Sequence, residues 1–196
     1  MSQLQLLYGQ VLANAIAVVM VILCWRWRAA GRLSLVLLFL WAGQYNLRAA
    51  FVRPEQYLDY ARFAYSTWYQ QFIVGFFAQH TTAVVATIAV GQLAAAVLMS
   101  LRGPAVYWGL MGAIISLTAI APLGPGAAFP STIIAAWAGI LLLRHTYSST
   151  LLTELIGADK KPAWKQVMEA GKERIKKGTS LESHDPDAHL GHRGAE

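Results

Sequence analysis

The sequence predicts an all-α integral membrane protein, a bundle of five transmembrane helices. The first observation is composition: 56% of the 196 residues are hydrophobic and 13% are charged, which is about half the charged fraction of an ordinary soluble domain. The second is the stretch of residues 80–145, which holds two arginines but no lysine and no acidic residue. Because about 20 apolar residues cross the hydrocarbon core as a helix, this stretch alone has room for up to three passes. The lipid bilayer is therefore the first predicted partner.

The predicted passes follow one another with short connections. They cover residues 6–25, 33–51, 78–101, 104–121 and 127–143. The first pass is followed by Trp27 and a group of arginines, whereas a signal peptide has its positive charges in front, so we expect a retained helix. The prolines and glycines of residues 122–126 separate the fourth pass from the fifth, because proline lacks an amide donor.

A polar connection lies between the second and third passes. Pro54 suits the first turn of a helix, and the apolar residues after it recur at helical spacing. They are Tyr57, Ala61, Ala64, Tyr65, Trp68 and Phe72. We therefore predict that residues 54–71 form one amphipathic helix in the membrane interface.

Basic residues predict the orientation. With five passes, Arg26, Arg28 and Arg32, then Arg102, then Arg144 and the lysine-rich tail all fall on one side. The positive-inside rule makes that side cytoplasmic, with the N-terminus outside and the C-terminus inside. The expected location is the inner membrane of a bacterial cell. Because these charges flank apolar runs and form no stripe, no nucleic-acid partner is expected.

The C-terminal region changes character. Residues 151–178 are predicted to form a cytoplasmic amphipathic helical segment, and residues 160–177 carry seven basic and two acidic side chains. Such a helix lies on the anionic leaflet or docks on a partner chain. The partner-docking residues of its apolar face are Trp164, Val167, Met168 and Ile175. Residues 179–196 have little to bury and are predicted to be disordered.

Residue content disfavours several kinds of chemistry. No acidic residue occurs in residues 1–54 or 60–153, so no predicted pass carries the carboxylates that proton pumps and di-iron sites use. The single cysteine, Cys24, cannot form an intrachain disulfide. His80 and His145 border opposite membrane faces, roughly 30 Å apart, and cannot share a haem iron. We expect no catalytic residue, no metal site and no intrinsic cofactor.

Polar residues inside the second pass form the first candidate ligand site. Gln44, Tyr45, Asn46 and Arg48 lie near its exterior end, and Gln92 of the third pass could close a pocket over them. The alternative is that the long Arg48 side chain only reaches up to the interface.

His80 is the second candidate ligand residue, at the predicted exterior face. It would hydrogen-bond a quinone headgroup there, or serve simply as an interfacial cap.

Six stretches between residues 33 and 143 carry a family resemblance. They read SLVLLFLWAGQYNL, RPEQYLDYARFA, FIVGFFAQH, ATIAVGQLAAAVLMSLRG, GLMGAIISLTAIA and AAWAGILLL. In this arrangement the chain resembles the DoxX and DoxD group of small four-helix membrane proteins, with the first helix and the tail outside the resemblance. The group more usually has a glutamate where this chain has Gln92. The resemblance implies a four-helix core and a place in quinone-linked redox complexes.

We expect a small, non-catalytic accessory subunit of a membrane-bound, quinone-linked respiratory complex, which docks on the other subunits through its tail helix. Two alternatives stay open. One is a small-molecule transporter or channel that uses Gln44, Asn46, Arg48 and Gln92. The other is an enzyme that works at the exterior face through His80 and the tyrosine-rich segment after Pro54.

Overall fold

The computed structural model describes residues 3–157 together with Met168 and Lys172. The chain divides into two compact units, Met1–Ile156 and Gly157–Glu196. Of the predicted docking residues in the tail, Met168 is exposed, whereas Trp164, Val167 and Ile175 lie outside the described residues, as do residues 179–196.

Between residues 3 and 157 every regular element is a helix. The elements are α1 (Gln3–Arg26), α2 (Arg28–Val52), a first 3-10 helix (Pro54–Arg62), α3 (Thr67–Phe72), a π-helical turn (Ile73–Phe77), α4 (Ala78–Ser100), α5 (Pro104–Ile120), a second 3-10 helix (Ala121–Ala127), α6 (Ser131–Leu142) and α7 (Leu151–Leu155). Proline begins both α5 and the first 3-10 helix, where the missing amide donor costs nothing.

The helical membrane-protein class is confirmed. Four segments are long and apolar enough to cross a bilayer, namely Leu7–Arg26, Arg28–Val52, Thr67–Ser100 and Pro104–Pro125. The predicted fifth pass corresponds to Ser131–Leu142, which is apolar but has only 12 residues.

Close helix packing relies on glycine at particular positions. Gly109 of α5 lies so near α4 that an added Cβ would be 2.7 Å from the Met99 amide nitrogen and 2.9 Å from the Ala95 carbonyl oxygen. Lipid tails are as apolar as the side chains of the helices, so the hydrophobic effect does not drive helices together inside a bilayer. Close van der Waals contact between helices stabilises the bundle instead. The sequence therefore encodes the α4–α5 contact through a missing side chain.

The predicted interfacial helix over residues 54–71 was wrong as a single element. A 3-10 helix ends at Arg62, and a new helix begins at Thr67 and continues to Ser100. The break arises from tertiary hydrogen bonding, since the Tyr65 amide donates to the Pro122 carbonyl at 3.0 Å. As a result the predicted apolar face is divided: Tyr57 and Ala64 are buried, whereas Tyr65 and Trp68 are exposed.

One end of the bundle gathers three connections. Arg28 Nη1 donates to the Thr146 carbonyl at 3.2 Å, and the Gly103 amide donates to the Tyr147 carbonyl at 2.6 Å. The α1–α2 junction, the α4–α5 loop and the segment after α6 therefore meet at this end. Arg26, Arg102 and Arg144 belong to these connections.

Candidate functional site

An apolar cavity of about 370 Å³ lies among the helices at the end away from these connections. Its walls come from α1, α2, α5 and α6, and Gln92 of α4 completes them. The volume falls in the range of small-molecule sites, about 300 to 1,000 Å³. None of the residues that line it is charged or is a histidine.

A chain of hydrogen bonds fixes the orientation of Gln92. Tyr57 donates its hydroxyl to Asn46 Oδ1 at 2.7 Å, and Asn46 Nδ2 donates to Gln92 Oε1 at 2.8 Å. Burial raises the pKa of Tyr57 to about 12, so the hydroxyl stays a donor at neutral pH. Because Oε1 faces Asn46, the Gln92 Nε2 group is the part of the amide left for another partner.

Gln92 Nε2 has no hydrogen-bond acceptor among the described residues, although the side chain is only 7% exposed. The wall of the cavity thus contains an amide donor that a ligand with a suitable acceptor would satisfy.

Thr132 places a second polar group without a hydrogen-bond partner in the same wall. It is 7% exposed, and its Oγ1 has no partner among the described residues. Helical threonines normally donate to the carbonyl four residues earlier, as Thr118 does to Ile114 at 2.7 Å. For Thr132 that carbonyl belongs to Ala128, which already accepts from the amide and hydroxyl of Ser131. The cavity therefore has two donors without protein partners.

The structure separates Arg48 from Gln92. Gln44, Tyr45 and Arg48 are exposed, and Tyr45 and Arg48 line a different, shallower pocket. The reason is helical geometry: residues two positions apart point about 200° from each other, so Arg48 cannot share the face of Asn46. The predicted pocket around Arg48, closed by Gln92, is not formed; Asn46 and Gln92 alone are brought together.

His80 belongs to a third pocket, of about 430 Å³, which Glu55 also lines. The π-helical turn before it leads into a kink at His80, with φ −128° and ψ 22°. Its ring stacks on Phe76, and Nδ1 lies 3.1 Å from the Phe76 carbonyl oxygen. A carbonyl oxygen can only accept, so Nδ1 is the donor in this hydrogen bond.

A buried ion-pair network at the opposite end was missed by the sequence analysis. Arg32 is fully buried, not an interfacial anchor, and its Nη1 lies 3.3 Å from Glu154 Oε2. Arg28 Nη2 lies 2.7 Å from Glu154 Oε1, without the alignment of a hydrogen bond. The Arg32 guanidinium also stacks over the ring of Tyr147, whose pKa burial raises. The only signal in the sequence was that Glu154 is the first acidic residue after Asp59.

Metal ligands are not clustered in the described part of the chain: no group of three His, Cys, Asp or Glu side chains could hold an ion there. Cys24 is free and buried. Among the described residues, the cavity at Gln92 and Thr132 thus offers a ligand hydrogen bonds and an apolar enclosure.

No family model, curated protein or solved structure matches this chain. The fold and the cavity define its class, a helical membrane protein with a ligand-sized apolar cavity.

Proposed function

We propose that this protein binds a quinone-class ligand beside Gln92 and acts as a non-catalytic subunit of a membrane redox complex. The observation that carries the proposal is an apolar cavity whose wall holds a buried hydroxyl without a protein partner, Thr132 Oγ1, and an amide group, Gln92 Nε2, that makes no hydrogen bond to the described residues. A quinone has a flat apolar ring with two carbonyl acceptors and a tail that suits lipid. Its chemistry matches the donors and the apolar walls.

The role of a binding subunit follows from what lines the cavity. Reduction of a quinone consumes protons, yet none of the cavity's lining residues is a carboxylate, a histidine or a lysine. Neutral donors stabilise a bound carbonyl but do not deliver protons. We therefore assign electron and proton transfer to partner subunits, in keeping with the DoxX-like resemblance.

We further propose five passes, with α6 and its flanking residues as the fifth, in the inner membrane of a bacterium. The grouping of Arg26, Arg102 and Arg144 at one end supports a cytoplasmic assignment for that end. The N-terminus is then outside. Cysteine-scanning with a membrane-impermeant thiol reagent, in a Cys24→Ser background, tests this orientation.

The test of ligand binding is extraction of quinone from protein purified out of native membranes in a mild detergent. We expect near-stoichiometric quinone in the wild type and about tenfold less in Gln92→Leu, since one lost hydrogen bond of about 1.4 kcal/mol is worth a factor of ten. Gln44→Leu is the matched control, because it removes an exposed amide from α2. Wild-type protein without quinone, or equal quinone in Gln92→Leu, contradicts the ligand assignment.

The same preparation tests the assignment to a complex. Redox subunits should co-purify with the wild type and with Gln92→Leu, because the substitution lies inside the cavity and not on an outer face. Protein that runs alone in native electrophoresis contradicts the subunit role while leaving ligand binding intact.

A further inference from the structure

A second pocket lies where α2 ends and the first 3-10 helix begins. Its volume is about 230 Å³, and its lining includes Tyr45, Arg48, Arg53 and Gln56. The residues that line this depression therefore include two arginines, a tyrosine and a glutamine. These are side chains that hydrogen-bond the oxygens of an anion.

The two arginines have no carboxylate partner among the described residues. The ion pairs found there join Arg28 and Arg32 to Glu154, and Arg62 to Asp59. Arg48 and Arg53 thus bring two positive charges to one pocket without internal compensation.

Membrane topology does not account for these charges either. Arg26, Arg102 and Arg144 belong to the connections at the other end of the bundle, where the positive-inside rule explains them. Arg48 lies 20 residues along α2 from Arg28, about 30 Å away by the rise of an α-helix. The structural explanation for Arg48 and Arg53 is that cations near a helix C-terminus offset the helix dipole.

The local backbone holds the pocket together. α2 ends at Val52, and Arg53 leaves the helix with φ −148° and ψ 60° while its amide still donates to the Ala49 carbonyl at 2.9 Å. The 3-10 helix is then fastened to α2 by the hydrogen bond from the Tyr57 hydroxyl to Asn46. Gln56, next to Tyr57, is thereby fixed on the same pocket as Arg48.

We propose that this pocket binds a phosphate group. Guanidinium groups bind phosphate through two parallel hydrogen bonds, and two arginines line this pocket. The shared chemistry belongs to two sources, the phosphodiester headgroup of an anionic phospholipid and free inorganic phosphate. The site is separate from the cavity at Gln92 and does not depend on the proposed quinone.

The experiment uses the full chain purified in a mild detergent and two probes. Native mass spectrometry counts phosphatidylglycerol retained by the protein, and calorimetry measures binding of inorganic phosphate. The variant is Arg48→Gln with Arg53→Gln. Arg62→Gln is the matched control, because Arg62 is also exposed and ends the neighbouring 3-10 helix, outside the pocket. Arg48 and Arg53 are both exposed, and an unchanged melting temperature of each variant verifies its fold.

A lipid site predicts that retention of phosphatidylglycerol falls about tenfold or more in the double variant, while Arg62→Gln retains it as the wild type does. A free-phosphate site predicts calorimetric binding by the wild type that the double variant loses. Either result supports the proposal and identifies the source. The proposal is overturned if the double variant matches the wild type with both probes, or if Arg62→Gln loses as much as the double variant.

Should the double variant fail to fold, Arg48→Lys with Arg53→Lys replaces it. Lysine keeps the charge but cannot form the paired hydrogen bonds of guanidinium. A severalfold loss of the bound probe then supports the proposal, and unchanged binding by the lysine variant contradicts a guanidinium site.

Discussion

Arg32 and Glu154 form a buried ion pair across 122 residues of the chain, with 3.3 Å between Nη1 and Oε2. The same guanidinium donates to the carbonyls of Met99 and Leu101. These carbonyls lie at the C-terminal end of α4, where a helix leaves its acceptors unsatisfied. One side chain of α2 thereby joins the end of α4 to α7.

Removal of Glu154 should destabilise the whole first unit. Glu154→Ala leaves the fully buried Arg32 charge without a counter-ion, and breaking a buried pair in this way costs about 3 to 5 kcal/mol. The measurement is the free energy of unfolding in an SDS titration from mixed micelles. Asp59→Asn is the control, because its pair with Arg62 is exposed and worth about 0 to 1 kcal/mol.

The double substitution Arg32→Met with Glu154→Leu distinguishes the ion pair from simple packing. Because it removes both charges together, it should recover part of the stability that Glu154→Ala loses. If Glu154→Ala is as stable as the wild type, the network does not fasten the C-terminal segment.

The close approach of α4 and α5 predicts a loss of stability in Gly109→Ala. The new Cβ would meet backbone atoms of Met99 and Ala95 at 2.7 and 2.9 Å, and overpacking of this kind costs about 1 to 3 kcal/mol. Gly91→Ala is the matched control, because nothing lies within 4 Å of its new Cβ. Alanine there should be neutral or stabilising by up to about 1 kcal/mol, owing to its helix propensity. Equal stability in the two variants would count against this packing.

The burial of the Tyr57 hydroxyl predicts a pH effect. Burial raises the pKa of Tyr57 to about 12 in the folded protein, against about 10 in an unfolded chain. The folded state therefore prefers the protonated phenol, so this contribution is fully present below pH 10 and is lost as the pH rises from there to about 12. Tyr57→Phe should show a shallower fall in unfolding free energy over this window than the wild type. Identical slopes would indicate that Tyr57 titrates normally.

The same substitution should also lower stability at neutral pH. Tyr57→Phe loses a hydrogen bond worth about 1 kcal/mol and leaves Asn46 Oδ1 without its donor. Tyr60→Phe is the control, because its hydroxyl makes no hydrogen bond to the described residues.

The helices could be predicted from the sequence because the bilayer leaves the backbone few options: an apolar run of sufficient length must satisfy its own hydrogen bonds. The contact of Asn46 with Gln92 could also be predicted, because polar side chains inside a membrane usually pair with one another. What was missed depends on distant parts of the chain. The break after Arg62 requires the Pro122 carbonyl, and the burial of Arg32 requires Glu154, and neither partner is visible in the local pattern.

Position within a helix explains the remaining difference at the candidate site. Asn46 and Arg48 are near neighbours in the sequence, and the prediction treated them as one polar group. Two residues along a helix, however, turn the side chain to the opposite face. Arg48 therefore lines a pocket with Arg53, whereas Asn46 turns toward Gln92.

The orphan hydroxyl of Thr132 predicts opposite changes in stability and in ligand retention. Thr132→Val keeps the shape of the side chain and removes a buried group without a protein partner, so the ligand-free protein should gain about 1 to 2 kcal/mol. Quinone retention, measured by extraction, should fall severalfold because one donor is lost. Thr118→Val is the control: its hydroxyl is satisfied by the Ile114 carbonyl at 2.7 Å and lies outside the cavity, so the substitution should leave retention unchanged. If Thr132→Val lowers the stability of the ligand-free protein, its hydroxyl has a partner in the fold and is not available to a ligand.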